Sequence, residues 1–339
     1  VTAATYSIVI PTYRRGDSLA ECLESVCALD YPREAVEVVI IDNGGAENTQ
    51  AAAAPFKDRL QLRYLVNVKN RGYGFSVNRG IVESTGDRIL LLNDDARPQP
   101  DLLSECERLL ASDPLIGCVG CRPIEKGYAR SGSEIGRIAE SGEVIANFDI
   151  DSGSPIEVEH VYGFCYVFTR EAVRRAGLND RTLLAQPYSS GNRIETDHCL
   201  TIRERGLKVV FNPRMVAVHL AKPRPDMSEV SLRWKTNAIR NTIYLYLKHY
   251  GPFGKKAAAL RLTFLDDVGI ISMVRRPNGS NVAYFANGVR ARASAYWHWL
   301  KYLVGPDRDR PESLRAVLEA DAKAARPLEA AGAAGRSAR

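Results

Sequence analysis

"RILLLNDDARPQP", Arg88 to Pro100, is a short apolar run broken off by an amide and two adjacent carboxylates, Asn93-Asp94-Asp95. A leucine-rich run of this length suits a strand buried on both faces. Two neighbouring carboxylates at the rim of a core repel each other and are costly to desolvate unless something positive meets them. The segment after this strand is therefore either a solvated turn or the seat of a cation.

The flanking sequence repeats the same kind of run. "YSIVI" (6–10), "VEVVII" (36–41) and "LRYLV" (62–66) are short and largely apolar, as strands buried on both faces would be. Helical patterns separate them. Ser18-x-x-Glu21 is placed to form a capping box, followed by a stripe of Leu19, Cys22, Leu23, Val26 and Cys27. Further helices are expected over 47–57 and 75–84. Strand–helix alternation at this spacing predicts right-handed βαβ units and an α/β, doubly wound, mainly parallel sheet. Ligands of such sheets sit at the carboxyl ends of the strands. Four clusters should then face one crevice: Pro11-Thr12-Tyr13, Asp42-Asn43-Gly44, Asn67 to Gly74, and Asn93 to Asp95.

Beyond residue 121 the pattern loosens. The Gly/Ser-rich stretch around 125–155 reads as loops with short hairpins. "VEHVYGFCYVFTREAVRRAG" reads as a strand running into a helix that ends at Gly177. "NRIETDHCLTIRERG" reads as a helix, and "LKVVF" and "MVAVH" as a pair of strands. After the proline-rich "KPRPD" (222–226) the sequence turns helical and basic-aromatic. The expected division is a catalytic domain over 1–225, a helical region over 226–325 and a low-complexity tail over 326–339 without fixed structure.

In the 339 residues, 45% are hydrophobic and 25% charged, the balance of a soluble globular protein. A net charge of +6 with no dense Lys/Arg run argues against a nucleic-acid partner. Seven cysteines scattered through apolar stretches read as reduced thiols of a cytoplasmic protein. Cys118 and Cys121 have the CxxC spacing of a metal or redox pair, but no second pair accompanies them and they read as strand residues. The N-terminal stretch lacks the basic start of a signal peptide. The most apolar C-terminal stretch, near 257–274, is interrupted by Arg261, Asp266 and Asp267, so no membrane span is expected. "YWHWLKYLVG" and its neighbours mix Trp and Tyr with Lys and Arg. Such helices can pack on the catalytic domain, join a second copy, or rest on the inner face of a membrane.

Several residues carry candidate chemistry. Gly72 and Gly74 would let backbone N–H groups approach a phosphate, with Arg71 and Arg79 adding charge. A diphosphate leaving group needs neutralising, and Asp94 or Asp95 could hold Mg2+ or Mn2+ for that purpose. Glu195 and Asp197 are either helix-dipole charges or a general base with its neighbour. His219, closing a strand, is either a satisfied polar residue or a metal ligand.

In order and spacing, "SIVIPTYRRGDSLAECLESV", "VVIIDNGG", "NRGYGFSVNRGI", "TGDRILLLNDDARPQP", "VYGFCYVFTREAVRRAGLND", "ETDHCLTIRERGLKVVFNP" and "VAVH" resemble family 2 glycosyltransferases across roughly residues 5 to 220. The resemblance implies a GT-A fold, a nucleotide-diphosphate sugar donor, a divalent cation (Mg2+ or Mn2+), and inverting transfer to an acceptor hydroxyl. That acceptor would be a saccharide, a lipid-linked molecule or a small molecule. By position it implies that Pro11, Thr12 and Tyr13 hold the nucleoside and Asp42 reads the base. Asn70 and Asn78, with Gly72 between them, belong to the donor site, as do Asn93 and Asp94. Asp95 would be the metal ligand, completed by His219. Glu195 falls on the family base and Asp197 competes for that role. The amide at Asn93 departs from a strict DxD motif and is similar to the NxD of rhamnosyltransferase-like members. Two other functions stand against this one. A nucleotidyltransferase would place glycines near the first strand, which "PTYRRGD" lacks. A non-catalytic nucleotide-sugar-binding module would not need Glu195.

Overall fold

The computed structural model describes residues 3–125, 132–184, 192–220, 228–267, 269–275 and 282–304. The expected proline-rich hinge (222–226) and the tail (326–339) lie outside these residues.

Four strands open the fold: β1 (Tyr6–Thr12), β2 (Val36–Asp42), β3 (Gln61–Val66) and β4 (Arg88–Leu92). They pair side by side in the order β3-β2-β1-β4, all parallel. Helices α1 (Gly16–Cys27), α2 (Glu47–Ala53) and α3 (Tyr73–Glu83) make the crossovers. The chain continues through β5 (Ala96–Pro98), α4 (Leu102–Leu110) and β6 (Ile116–Ile124) to the two-stranded ribbon of β7 (Arg137–Ile138) and β8 (Val144–Ile145). Then come β9 (Ile156–Glu157), β10 (Cys165–Thr169), α5 (Arg170–Ala176), α6 (Arg181–Leu184), α7 (Ile194–Glu204) and β11 (Lys208–His219). Among the described residues the full order is β3-β2-β1-β4-β10-β6-β11-β5, with β9 also on β11.

β10 runs antiparallel to both β4 and β6, and the short β5 and β9 run antiparallel to β11. The register of β10 sets Cys165 opposite Leu92, so the chain entering β10 passes the carboxyl end of β4. There the Asn93 N–H donates to the Phe164 carbonyl at 2.8 Å. This reversal carries residues from far along the sequence to the acidic pair.

Alternation along the strands divides the core between the two faces of the sheet. Ile8, Ile10, Leu90 and Leu92 join Leu19, Leu23 and Leu103 on one side. Val9, Ile41, Ile89 and Leu91 join Val77, Phe168 and Ile202 on the other. Each such side chain, fully buried, stabilises the fold by about 1.5–3 kcal/mol. The same alternation separates the CxxC pair: Cys121 lies in the first cluster and Cys118 in the second. Two sulfurs on opposite faces of a strand cannot share a metal, and all seven cysteines are free. Where α3 crosses β1, a Cβ at Gly80 would come 2.1 Å from Val9 Cγ1, so glycine permits the close approach.

Four local expectations need correcting. No capping box forms: α1 begins at Gly16, its N-cap Arg15 makes no side-chain cap bond, and Ser18 is buried. Gly16 explains the early start, since a Cβ there would meet Asn48 O at 2.7 Å. "LKVVF" and "MVAVH" are one strand, β11, whose pairing with β6 is irregular between Asn212 and Val216. The helix expected over 47–57 ends at Ala53, and a 3-10 turn containing Pro55 follows. β3 has one neighbour and is half-exposed rather than buried on both faces.

The C-terminal part is helical: α8 (Ser228–Tyr250), α9 (Gly254–Phe264), α10 (Ile270–Arg275) and α11 (Val282–Val304). Ile243, Tyr244, Leu245 and Leu247 of α8 share a buried cluster with Ile138, Leu183, Ile194 and Leu200. Tyr244 and Tyr246 of α8 thus pack on the catalytic domain. No described helix is long and apolar enough to cross a membrane.

Candidate active site

The carboxyl ends of β1, β2 and β4 meet in one crevice. Thr12, at the end of β1, is buried and its hydroxyl donates to Asp94 Oδ2 at 2.8 Å. Pro11 lies within β1, while Tyr13, 40% exposed, lies against Gly44 at the end of β2. A Cβ at Gly44 would stand 2.9 Å from the tyrosine ring. Asp42 is fully buried; it accepts from the Gly45 and Ala46 N–H groups and from the Tyr64 hydroxyl, holding the loop after β2.

The loop before α3 is knitted by amides. Asn67 donates to Asn43 at 2.9 Å, and Asn43 donates to Asn70 at 2.8 Å. Asn43 Oδ1 accepts from Arg71 N and Asn70 Oδ1 from Gly72 N, each at 2.9 Å. The Arg71 and Gly72 amides are thus used inside the loop. Gly72 is needed for its left-handed φ of 86° at the helix start. Arg79 is likewise engaged, donating to Val66 O and Asn67 Oδ1. Asn78 is buried and committed to Asn179: its Nδ2 donates to the backbone carbonyl and its Oδ1 accepts from the backbone N–H. It ties α3 to the segment before α6 and does not reach into the crevice.

The acidic pair has a partner that the sequence did not disclose. Arg15 Nη1 pairs with Asp94 Oδ1 at 2.9 Å and Nη2 with Asp95 Oδ2 at 2.8 Å. Burial pushes the Asp94 carboxyl up to about 6, against the pull of Arg15. Burial acts on Asp95 in the same direction, but His219 and Arg15 outweigh it and hold Asp95 below the ordinary value. Asp95 Oδ1 is buried without a hydrogen bond and faces His219 Nε2 at 3.5 Å. The other ring nitrogen, Nδ1, lies 3.3 Å from Glu125 Oε2 and 3.3 Å from the Tyr162 hydroxyl. A proton held on Nδ1 by Glu125 leaves Nε2 directed at Asp95, the arrangement in which a histidine can ligate a metal. An orphaned carboxylate oxygen beside such a nitrogen fits a divalent cation. Among the described residues no preassembled cluster of three or more such ligands stands ready, so other positions would go to donor oxygens or water.

Glu195 is in the first turn of α7 and half-buried, and burial pushes its carboxyl above the ordinary value. It packs against Gly163, where a Cβ would stand 3.0 Å from its Cδ. The Tyr73 hydroxyl links the two halves of the site, donating to Asn93 Oδ1 at 3.0 Å and lying 3.3 Å from Gly163 O. Asp197 is placed differently. It is 2% exposed, with Oδ1 paired to His249 and Oδ2 to Lys248, both at 2.8 Å. Burial would raise its pKa, but these two cations hold it well below the carboxylate range. Arg15, Tyr73, Glu125, Tyr162, Lys248 and His249 all escaped the sequence reading.

A mainly parallel sheet in which β5, β9 and β10 are reversed, with an amide–carboxylate crevice at its carboxyl edge, is the sheet of a GT-A fold. A mannosyltransferase of Pyrobaculum calidifontis, solved with GDP-Man and Mn2+, has the same fold at TM-score 0.55 and 19% identity, over 96% of this chain and 81% of that one. Residues 1–349 of Staphylococcus aureus TarS, solved with UDP-GlcNAc, align at TM-score 0.61 and 13% identity, over 85% and 79% of the respective chains. The family profile described as "Glycosyl transferase family 2" matches residues 7–177, just over half of the sequence, and the chain belongs to that family. Among curated relatives, Glycosyltransferase AglE of Haloferax volcanii is 30% identical over 98 residues, which is 29% of this chain and 32% of AglE. A glucosyl-dolichyl phosphate glucuronosyltransferase of the same organism is 26% identical over 217 residues, 63% of this chain and 68% of the relative. The family is one of sugar-transferring enzymes, which speaks against the nucleotidyltransferase alternative, and the chain spans about a third of the length of AglE.

Proposed function

We propose that the enzyme transfers a sugar, with inversion, from a nucleotide-diphosphate donor to an acceptor hydroxyl. The observation that carries this reading is the meeting of Glu195 and the acidic pair across Tyr73, Asn93 and Gly163. The nucleoside would lie along Pro11, Thr12 and Tyr13, over the loops held by Asp42 and Asn70, with Asn93 and Asp94 beneath the ribose and diphosphate. Glu195, raised by burial, is suited to take a proton from a hydroxyl near neutral pH. As it does so, the acceptor oxygen forms its bond to the anomeric carbon and the bond from that carbon to the diphosphate breaks. The nucleoside diphosphate leaves on the opposite face, so the configuration inverts. A divalent cation held by Asp95 and His219 would neutralise the leaving diphosphate. Asp197 has no oxygen left for this work and is assigned to holding the helix.

The acceptor would be a saccharide, a lipid-linked molecule or a small molecule. Trp297, Leu300, Leu303 and Val304 of α11 are exposed, and they keep two uses available: contact with a membrane surface and contact with a second copy.

The test uses a panel of nucleotide sugars, ranked by thermal stabilisation in the presence of Mn2+ and followed by release of nucleoside diphosphate. Asp95→Ala and Glu195→Gln should each lower turnover at least about 1000-fold, the scale of a lost catalytic group. Only Asp95→Ala should also weaken donor binding. Wild-type turnover in Glu195→Gln would overturn its assignment as the base.

A further inference from the structure

The helix carrying Glu195 does not hold its own position. Its N-cap, Arg193, is left-handed at φ 71° with no side-chain cap, and a non-glycine residue persists there only when its surroundings impose it. Those surroundings come from α8. Asn241 Nδ2 donates to Asn192 O at 3.0 Å, and Arg193 Nε donates to Thr242 Oγ1 at 3.2 Å. One turn on, the Tyr244 hydroxyl donates to Asp180 Oδ2 at 2.7 Å. A further turn on, Lys248 Nζ lies between Asp180 Oδ2 at 3.0 Å and Asp197 Oδ2 at 2.8 Å, with its side chain 7% exposed. His249 spans Asp197 at 2.8 Å and Glu204 at 2.6 Å. Residues two apart on a helix point to nearly opposite sides, so Glu195 faces the crevice while Asp197 faces α8.

We propose that Lys248 and His249 are positioning residues for sugar transfer: by gripping both oxygens of Asp197 they fix the first turn of α7 and so aim Glu195 at the acceptor hydroxyl. The inference rests on Glu195 being the base. A buried ion cluster is a poor source of stability, because desolvation offsets most of its Coulomb energy. What it supplies is geometry: each Asp197 oxygen has one cation in one direction. The C-terminal helices then belong to the catalytic apparatus, although the donor is held by the other end of the chain.

The experiment compares the full chain with Lys248→Met, Lys248→Arg, Thr242→Val and Glu195→Gln, reading kcat, donor KM and affinity for the nucleoside diphosphate. Lys248→Met should lower kcat by about 10- to 100-fold, the cost of a small misplacement of a catalytic group, with donor KM and diphosphate affinity within about twofold of wild type. Lys248→Arg should restore most of kcat, since it returns the charge. Thr242→Val removes the acceptor of Arg193 and should lower kcat several-fold; if Lys248→Met does not fold, His249→Gln, which loses one of its two carboxylate partners, carries the test with the same expected loss. Wild-type kcat in the folded variants, with Glu195→Gln inactive, would overturn the positioning role alone. An active Glu195→Gln would remove the base reading beneath it.

Discussion

Arg15 changes what the two carboxylates after β4 mean. Their sequence called for a positive partner, and a guanidinium from the start of α1 supplies one, spanning Asp94 and Asp95. The same carboxylates are wanted by a divalent cation, so the two compete. Arg15→Met should lower the melting temperature of the metal-free protein while lowering the Mn2+ concentration for half-maximal stabilisation by about two- to fivefold, as a screened ion pair of roughly 0.2–1 kcal/mol allows. Thermal denaturation across a Mn2+ series measures both, and an unchanged Mn2+ midpoint would show that Arg15 does not guard the site. Legibility follows the same line. Adjacent acids can be read from a string, and so could Glu195 once the motifs were set in order. Arg15, about eighty positions from its partners, could not be paired by any local pattern. Gly72 was legible as a glycine that mattered, but its amide is used by Asn70 and its value is conformational.

The parallel strands and their helices were readable because each signal is local: a short apolar run in β1, β2 and β4, and an apolar stripe on α1. What was not readable depends on partners elsewhere. The reversal of β10 is set by the edges of β4 and β6, and the early start of α1 by the nearness of Asn48 to Gly16. The junction of α7 and α8 is of the same kind, and it has a titration of its own. Both ring nitrogens of His249 face carboxylates, which only accept hydrogen bonds, so the ring is an imidazolium. Burial would lower its pKa, but Asp197 and Glu204 outweigh that, despite Lys248 beside it, and the net shift is upward from 6.5. Tyr250, adjacent on α8, and Tyr302 of α11, whose ring lies against Lys248, complete the titratable surroundings. A raised histidine pKa means that the folded state holds the proton more tightly. Its stabilisation is full below 6.5 and lost as the pH rises through the folded value. The difference in urea midpoint between wild type and His249→Gln should therefore be largest near pH 6 and shrink above it. A gap unchanged to about pH 9.5 would mean that the ring is not charged in the folded protein.

From the sequence, the proline-rich stretch at 222–226 marks where a helical region follows the catalytic domain. We propose that the two unfold as one cooperative body. Tyr244, Leu245 and Leu247 of α8 share a core with Ile138, Leu183, Ile194 and Leu200, and Lys248 neutralises Asp180 and Asp197 of the catalytic half. Stripping α8 away would expose that apolar surface and leave two buried carboxylates without a cation, so the catalytic half gains no stability by letting it go. The positions of the tryptophans make this measurable. All three, Trp234, Trp297 and Trp299, lie beyond residue 226, so tryptophan fluorescence reports the C-terminal helices alone, whereas far-ultraviolet circular dichroism reports the whole chain. In urea the two signals should trace a single transition with the same midpoint and slope. A fluorescence transition at lower urea, with the dichroism of the sheet intact, would show that the helices come off as a domain of their own.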